Sequence, residues 1–158
     1  GKVYLAGDGG FRDLDAVLAW HPAARSGVNN YGGSAIDSLV YEFFGKTSHG
    51  ASAHMGRSAL DGVMLMDVAA NYLREHVPQN VRIHCVIRGG GDAPNVVPAY
   101  AKVWYYVRER LTDCARGAAL ATGTEMKWHR IAAVYHRLPN DTMCQGCAKT
   151  SSFSARRG

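Results

Sequence analysis

The chain has 158 residues, a formal net charge of +5 and 47% hydrophobic residues, which suits one compact domain with tails. No apolar run approaches the ~20 residues that span a bilayer, and Gly1 to Gly10 hold no basic start followed by an apolar stretch, so neither a membrane partner nor a signal peptide is expected. The four cysteines, Cys85, Cys114, Cys144 and Cys147, are too scattered for a disulfide framework and argue for a reduced, cytoplasmic chain; the basic residues are spread apart from Arg156–Arg157, which argues against a nucleic-acid partner.

Gly1 to Asn30 reads as loop and short elements, with a turn at Gly7-Asp8-Gly9-Gly10 and an apolar run from Leu14 to Trp20 that Pro22 ends. Ile36 to Phe44 is rich in β-branched and aromatic residues and stops at Gly45, which predicts a strand. Gly45 to Gly56 is small and polar and reads as a loop. Ser58-Ala59-Leu60-Asp61 predicts a helix start, and the helix should run to about His76. Leu60, Met64 and Val68 form one apolar row and Leu65, Ala69 and Leu73 another, so one side should pack on a sheet and the other on a partner.

Val81 to Arg88 alternates, with Val81, Ile83, Cys85 and Ile87 on one side, and predicts a half-buried strand. Gly89 to Pro94 is a flexible loop. Tyr100 to Arg108 alternates again, with Ala101, Val103, Tyr105 and Val107 facing one way. Leu111 to Ala121 predicts a short helix capped at Gly123, and Glu125 to His136 a last strand. Beyond Pro139 the chain turns polar and reads as irregular. The order strand, helix, strand, strand, helix, strand predicts an α+β fold: a split βαβ, ferredoxin-like two-layer sandwich, its four-stranded antiparallel sheet covered by two helices on one face.

Five motifs then line up in order. Phe44 to Ala51 followed by Gly56 to Asp61 resembles the glycine-lysine-histidine loop and first lid helix of the peptidase M-twenty family. That family includes aminoacylases, carboxypeptidase G and aminobenzoyl-glutamate hydrolases. Ala93 to Pro98 resembles its Asn-Val-Ile-Pro segment, and Tyr106-Val107-Arg108 its strand-end arginine. Gly117 to Thr124 and Leu138-Pro139-Asn140 most resemble the B-type subunits of aminobenzoyl-glutamate hydrolases. The resemblance covers roughly Asp13 to Asn140. It divides the chain into a flank of the catalytic domain (1–32), the dimerisation or lid domain (33–124), the last lid strand (125–140) and a tail (141–158).

The resemblance implies roles residue by residue. His49 would cross a dimer interface and polarise the scissile carbonyl, a positioned donor worth about 10²–10³ in rate; without the resemblance it is an exposed loop histidine. Asn95 would bond the substrate with its amide, where an isolated asparagine would serve its own turn. Arg108 would grip a substrate carboxylate with its planar fork, where alone it would be a basic residue packed on aromatics. His21 would ligate one of two divalent metal ions, zinc or manganese, in the parent enzyme. No histidine-x-aspartate pair and no Glu-Glu occurs, so this chain alone should lack most metal ligands and be inactive.

His54 stays open between a second contact and plain exposure, and His84, His129 and His136 read as surface positions on strands. Cys144-Gln145-Gly146-Cys147 has the spacing of half a zinc knuckle or a redox pair, a weak signal without a second pair. The partner implied is a second copy or a related subunit, and the substrate a small acyl amino acid. Two other classes remain as alternatives. One is a stand-alone dimerisation or small-ligand module without chemistry. The other is an RNA-binding sandwich, suggested by Lys102 to Val107 but lacking that signature's glycine.

Overall fold

The computed structural model describes residues 2–24, 27–30, 32–33, 35–79, 81–107, 110–135 and 138–154. The chain divides into two compact units, one of Ile36–Val134 and one of Gly1–Ala35 with Tyr135–Gly158.

The first unit is the α+β sandwich. Its elements are β1 (Ile36–Phe44), α2 (Ala59–Leu73), β2 (His84–Gly89), β3 (Tyr100–Val107), α3 (Leu111–Thr122) and β4 (Glu125–Val134), numbered after α1 (Lys2–Gly7) of the other unit. The sheet order is β2-β3-β1-β4 and every neighbouring pair is antiparallel. Alternation sorts β3 as expected: Ala101, Val103, Tyr105 and Val107 turn inward and are buried with the helices, together with Tyr41 and Phe43 of β1. β2, expected to be half-buried, is instead exposed from His84 to Arg88 because it borders the sheet at its edge. Tyr41 and Tyr105 meet edge to face, with centroids 6.1 Å apart.

Ser58 starts α2 by accepting from the Asp61 N–H at 3.1 Å and donating to the Asp61 carboxylate at 2.9 Å. The helix packs on the sheet with Ala59, Gly62, Val63, Met66 and Ala70. This corrects the expected rows: Met64, Leu65 and Val68 are exposed, while Leu60 and Leu73 only border the core. Small residues face the sheet because helix and strand approach closely there; a Cβ on Gly62 would lie 2.6 Å from Phe43 Cδ1. α3 packs Leu111, Ala115, Ala118 and Ala119 inward and ends at Gly123, whose φ of 61° is the left-handed cap that glycine accepts.

β2 begins at His84, later than the alternation from Val81 suggests. The reason is its partner: His84 pairs with Tyr106, and β3 ends one residue further on. Ile83 is still buried, and its carbonyl accepts from Arg74 Nη2 at 2.9 Å. Asp67 on α2 ties this edge down by accepting from Tyr105 Oη at 2.9 Å and from Cys85 Sγ at 3.3 Å. Burial and these bonds to Asp67 push both the Tyr105 phenol and the Cys85 thiol upward, keeping them protonated donors.

In the second unit α1 buries no residue, and the run from Leu14 to Trp20 forms no regular element. Asp141–Ser154 is a helix, α4, where composition alone reads as irregular. Asn140 caps it by accepting from the Met143 N–H at 3.0 Å. Asn30 holds the cap in place, accepting from the Asn140 N–H at 2.8 Å and donating to the Asp141 carboxylate. Among the described residues no helix is long and apolar enough to cross a membrane.

Candidate functional site

At one end of the sheet, two loops are stitched together by backbone bonds. Gly45 follows β1, and its N–H donates to the Ala99 carbonyl at 2.8 Å. Lys46 and Arg57 then exchange two N–H to O bonds, each 2.8 Å, which seats the chain between them as a closed loop. Inside it, His49 opposes Val96 in an antiparallel bridge flanked by Gly50 N–H to Asn95 O at 2.7 Å and Val97 N–H to Ser48 O at 2.8 Å. Gly50 permits this closeness, since a Cβ there would stand 3.2 Å from the Asn95 oxygen. The segment expected to be a plain loop contains a 3₁₀ turn, Gly50–Met55, and the His49 ring caps it: Nδ1 accepts from the Ala51 N–H at 3.1 Å.

His49 and Asn95 are both exposed, and the Asn95 amide makes no side-chain hydrogen bond among the described residues. The glycine-rich loop beside them separates two shallow clefts. One, of about 520 Å³, is lined by Thr47, Gly89 to Ala93, Val96 to Ala99 and Tyr100. The other, of about 360 Å³, lies against Ser58, Leu60 and Asp61 at the start of α2.

Tyr100 joins the first cleft to the helix-free face of the sheet. Its hydroxyl donates to Glu42 at 2.5 Å, and Lys102 and His129 stand 3.6 and 3.7 Å from the same carboxylate. The Tyr100 bond holds Glu42 below the usual carboxylate range, with help from the two bases. The same bond pushes Tyr100 up to about 12. Glu42 therefore contributes stability above its ordinary pKa that is lost as pH falls, and Tyr100 contributes stability below its ordinary pKa that is lost as pH rises toward 12. Tyr100→Phe should move the Glu42 midpoint upward, because the largest cause of its depression is gone. Carboxyl-detected NMR titration reads this directly, and an unmoved midpoint would mean that Lys102 and His129 alone set it.

The expected residues fall in three places. His49 and Asn95 come together through their backbones. Arg108 lies outside the described residues, as do His136, Arg156 and Arg157. β3, which leads to Arg108, ends at Val107 opposite Asp37, whereas Tyr100 at its start pairs with Phe44 beside the His49 loop. The two ends of β3 are about 24 Å apart at ~3.4 Å per residue, so one copy holds the His49–Asn95 pair and the Val107 end at opposite ends of its sheet. His21 is exposed, with Nδ1 2.9 Å from the Pro22 carbonyl. Among the described residues no three His, Cys, Asp or Glu side chains are placed to hold a metal. Cys144 Sγ donates to Asn30 Oδ1 at 3.2 Å, and no cysteine forms a disulfide. His54 is exposed, as are His84 and His129. Sequence reasoning passed over the Glu42–Tyr100 pair and Thr47; the signal available was that 42, 100 and 102 share one alternating face.

The family model described as a peptidase dimerisation domain matches residues 31–118. A subunit of the p-aminobenzoyl-glutamate hydrolase of Escherichia coli K12 is 39% identical over 156 residues, covering 90% of this chain and 32% of that protein. The Xaa-Arg dipeptidase of Mus musculus is 32% identical over 157 residues, covering 91% of this chain and 36% of the dipeptidase. The chain thus spans about a third of the length of these curated relatives. The crystal structure of an aminobenzoyl-glutamate utilization protein from Klebsiella pneumoniae shares the fold, with a TM-score of 0.57 at 19% identity over 70% of this chain and 31% of that one.

Proposed function

Because the chain belongs to the peptidase dimerisation-domain family, we propose that it is the dimerisation and lid part of a metal-dependent amidohydrolase that cleaves the amide between an acyl or aminobenzoyl group and an amino acid. The enzyme in this reading is cytoplasmic and is a dimer with itself or a related subunit. His49 donates to the scissile carbonyl oxygen, and the amide of Asn95 and the guanidinium of Arg108 hold the substrate carboxylate. Two divalent ions, zinc or manganese, would supply the activated water in the parent enzyme. His21 is the ligand this chain offers them, and one imidazole is no metal site, so the roles assigned here stop at the chain's own side chains.

The observation that carries this reading is the unpaired β2 edge. Among the described residues β2 has β3 on one side and no strand on the other, and its residues His84 to Arg88 are exposed. Beside it α2 exposes Met64, Val68 and Tyr72, at 55%, 48% and 70%. An apolar helix face next to an open edge suits a second copy better than water, and two-fold pairing is the commonest closed arrangement. The direction of that pairing matters. In an antiparallel match of two β2 strands, the His84 end of one lies beside the Gly89 end of the other. His84 marks the Val107 end of the sheet and Gly89 the His49–Asn95 end. The partner's His49 and Asn95 then share an end with this copy's Val107 and the Arg108 that follows it.

The test is Met64→Lys with Val68→Lys in the full-length enzyme. Sedimentation equilibrium should show the dimer Kd raised about tenfold or more, and hydrolysis of aminobenzoyl-glutamate or an acyl amino acid should fall with the dimer fraction. A monomer that keeps full activity would reject the reading.

A further inference from the structure

His49 is held twice. Its backbone belongs to the bridge with Val96, and its ring turns back so that Nδ1 accepts the Ala51 N–H at 3.1 Å. A backbone N–H can only donate, so Nδ1 must present a lone pair. A neutral imidazole with a bare Nδ1 carries its proton on Nε2. We propose that the Ala51 N–H is a positioning group that fixes His49 as the Nε2–H tautomer, so that the atom His49 meets in a ligand is an acceptor, a carbonyl or carboxylate oxygen, and never a proton to be removed.

The neighbouring donors leave this role to Ala51. The Gly50 N–H goes to the Asn95 carbonyl at 2.7 Å, and the Ser52 N–H goes to the carbonyl of His49 itself at 2.8 Å. The ring therefore takes the one N–H at the start of the turn that the backbone does not use. The bridge to Val96 fixes where the His49 Cα sits, and the cap fixes how the ring is rotated. With the lone pair of Nδ1 committed and the proton on Nε2, the neutral ring has no open site at which to act as a base. The inference rests on the proposed role of His49 in meeting a ligand, and it narrows that role to donation.

Nitrogen-15 NMR of this chain, labelled at histidine and held at mildly alkaline pH, tests it directly. His49→Gln identifies the His49 signals by their loss. The expected spectrum has a protonated Nε2 and a bare, hydrogen-bonded Nδ1. Ala51→Pro removes the donor while also fixing φ at 51 and restricting Gly50, and the Nδ1–H form, expected to be undetectable in the native chain, should then become a measurable share. In the full-length enzyme the same change should lower kcat about tenfold with KM within about twofold, as expected for a misaimed donor. A native spectrum dominated by the Nδ1–H form overturns the inference, and so do tautomer populations that Ala51→Pro leaves unchanged. If Ala51→Pro does not fold, the native spectrum still decides. A native Nε2–H tautomer combined with a His49→Ala enzyme that keeps native kcat and KM would retire the carbonyl-polarising role and leave the cap standing.

Discussion

Two inactive forms of the full-length enzyme, one carrying His49→Ala and the other Arg108→Ala, are expected to recover about a quarter of native activity when their subunits are exchanged. Each change alone should be severe. Losing a donor aimed at the carbonyl oxygen costs about 10²–10³ in kcat, and losing a bidentate grip on a carboxylate removes charge-assisted bonds worth about 1.5–3 kcal/mol each. Recovery follows from geometry. If a site takes His49 from one subunit and Arg108 from the other, a mixed dimer gathers both substitutions into one site and leaves its second site intact. About half the dimers after random exchange are mixed, and half the sites in each are native, which gives the quarter. If both groups served the subunit that carries them, every site would hold one substitution and nothing would return. Within one copy the Val107 end of β3 and the His49 loop lie at opposite ends of the sheet, which favours the shared arrangement. An exchanged mixture, verified by differently tagged subunits, that stays as inactive as its components would end the proposal.

Different parts of the molecule were legible for different reasons. β3 could be read because one face is buried and the other is not, and a period of two is a strong signal; β1, buried on both faces from Ser38 to Tyr41, was read from its β-branched and aromatic residues instead. α3 was bounded by Gly123, whose left-handed backbone is written in its own residue type. The buried face of α2 was misread because hydrophobicity marks large residues, while the sheet selected small ones, Ala59, Gly62 and Ala70, that allow close approach. Met64 and Val68 are the better apolar signal, and their exposure is what an unpartnered surface looks like. α4 was invisible because its cap is supported by Asn30, far away in the chain. The site divides in the same way. Nothing local in residues 48–50 and 95–97 says that they pair; the resemblance named both loops, and only the fold joined them. The Glu42–Tyr100 bond depends on strand register, which sequence alone does not give.

Gly45→Ala should be the most destabilising small change in the candidate site, by about 2–4 kcal/mol, although it adds a single methyl group. A Cβ at Gly45 would lie 2.0 Å from the Arg57 carbonyl oxygen and 3.0 Å from the Ala59 nitrogen. Both are backbone atoms, so no side chain can swing aside to relieve the overlap. One strand must retreat, and the two Lys46–Arg57 bonds and the Gly45 to Ala99 bond lengthen with it. Overpacking of this kind costs about 1–3 kcal/mol, and each buried backbone bond lost adds about 1 kcal/mol. The loop thus displaced is the one that aims His49, so ligand-dependent properties should fall together with stability. Gly117→Ala on α3 is the matched control. No heavy atom outside the helix's own backbone stands within 4 Å of a Cβ there, and alanine in a helix interior is better than glycine by about 0.5–1 kcal/mol. Urea unfolding of the two variants should therefore move in opposite directions from the native midpoint. A Gly45→Ala chain that unfolds with the native midpoint would show that the loop is not locked at Arg57, and the case for a preformed His49–Asn95 pair would go with it.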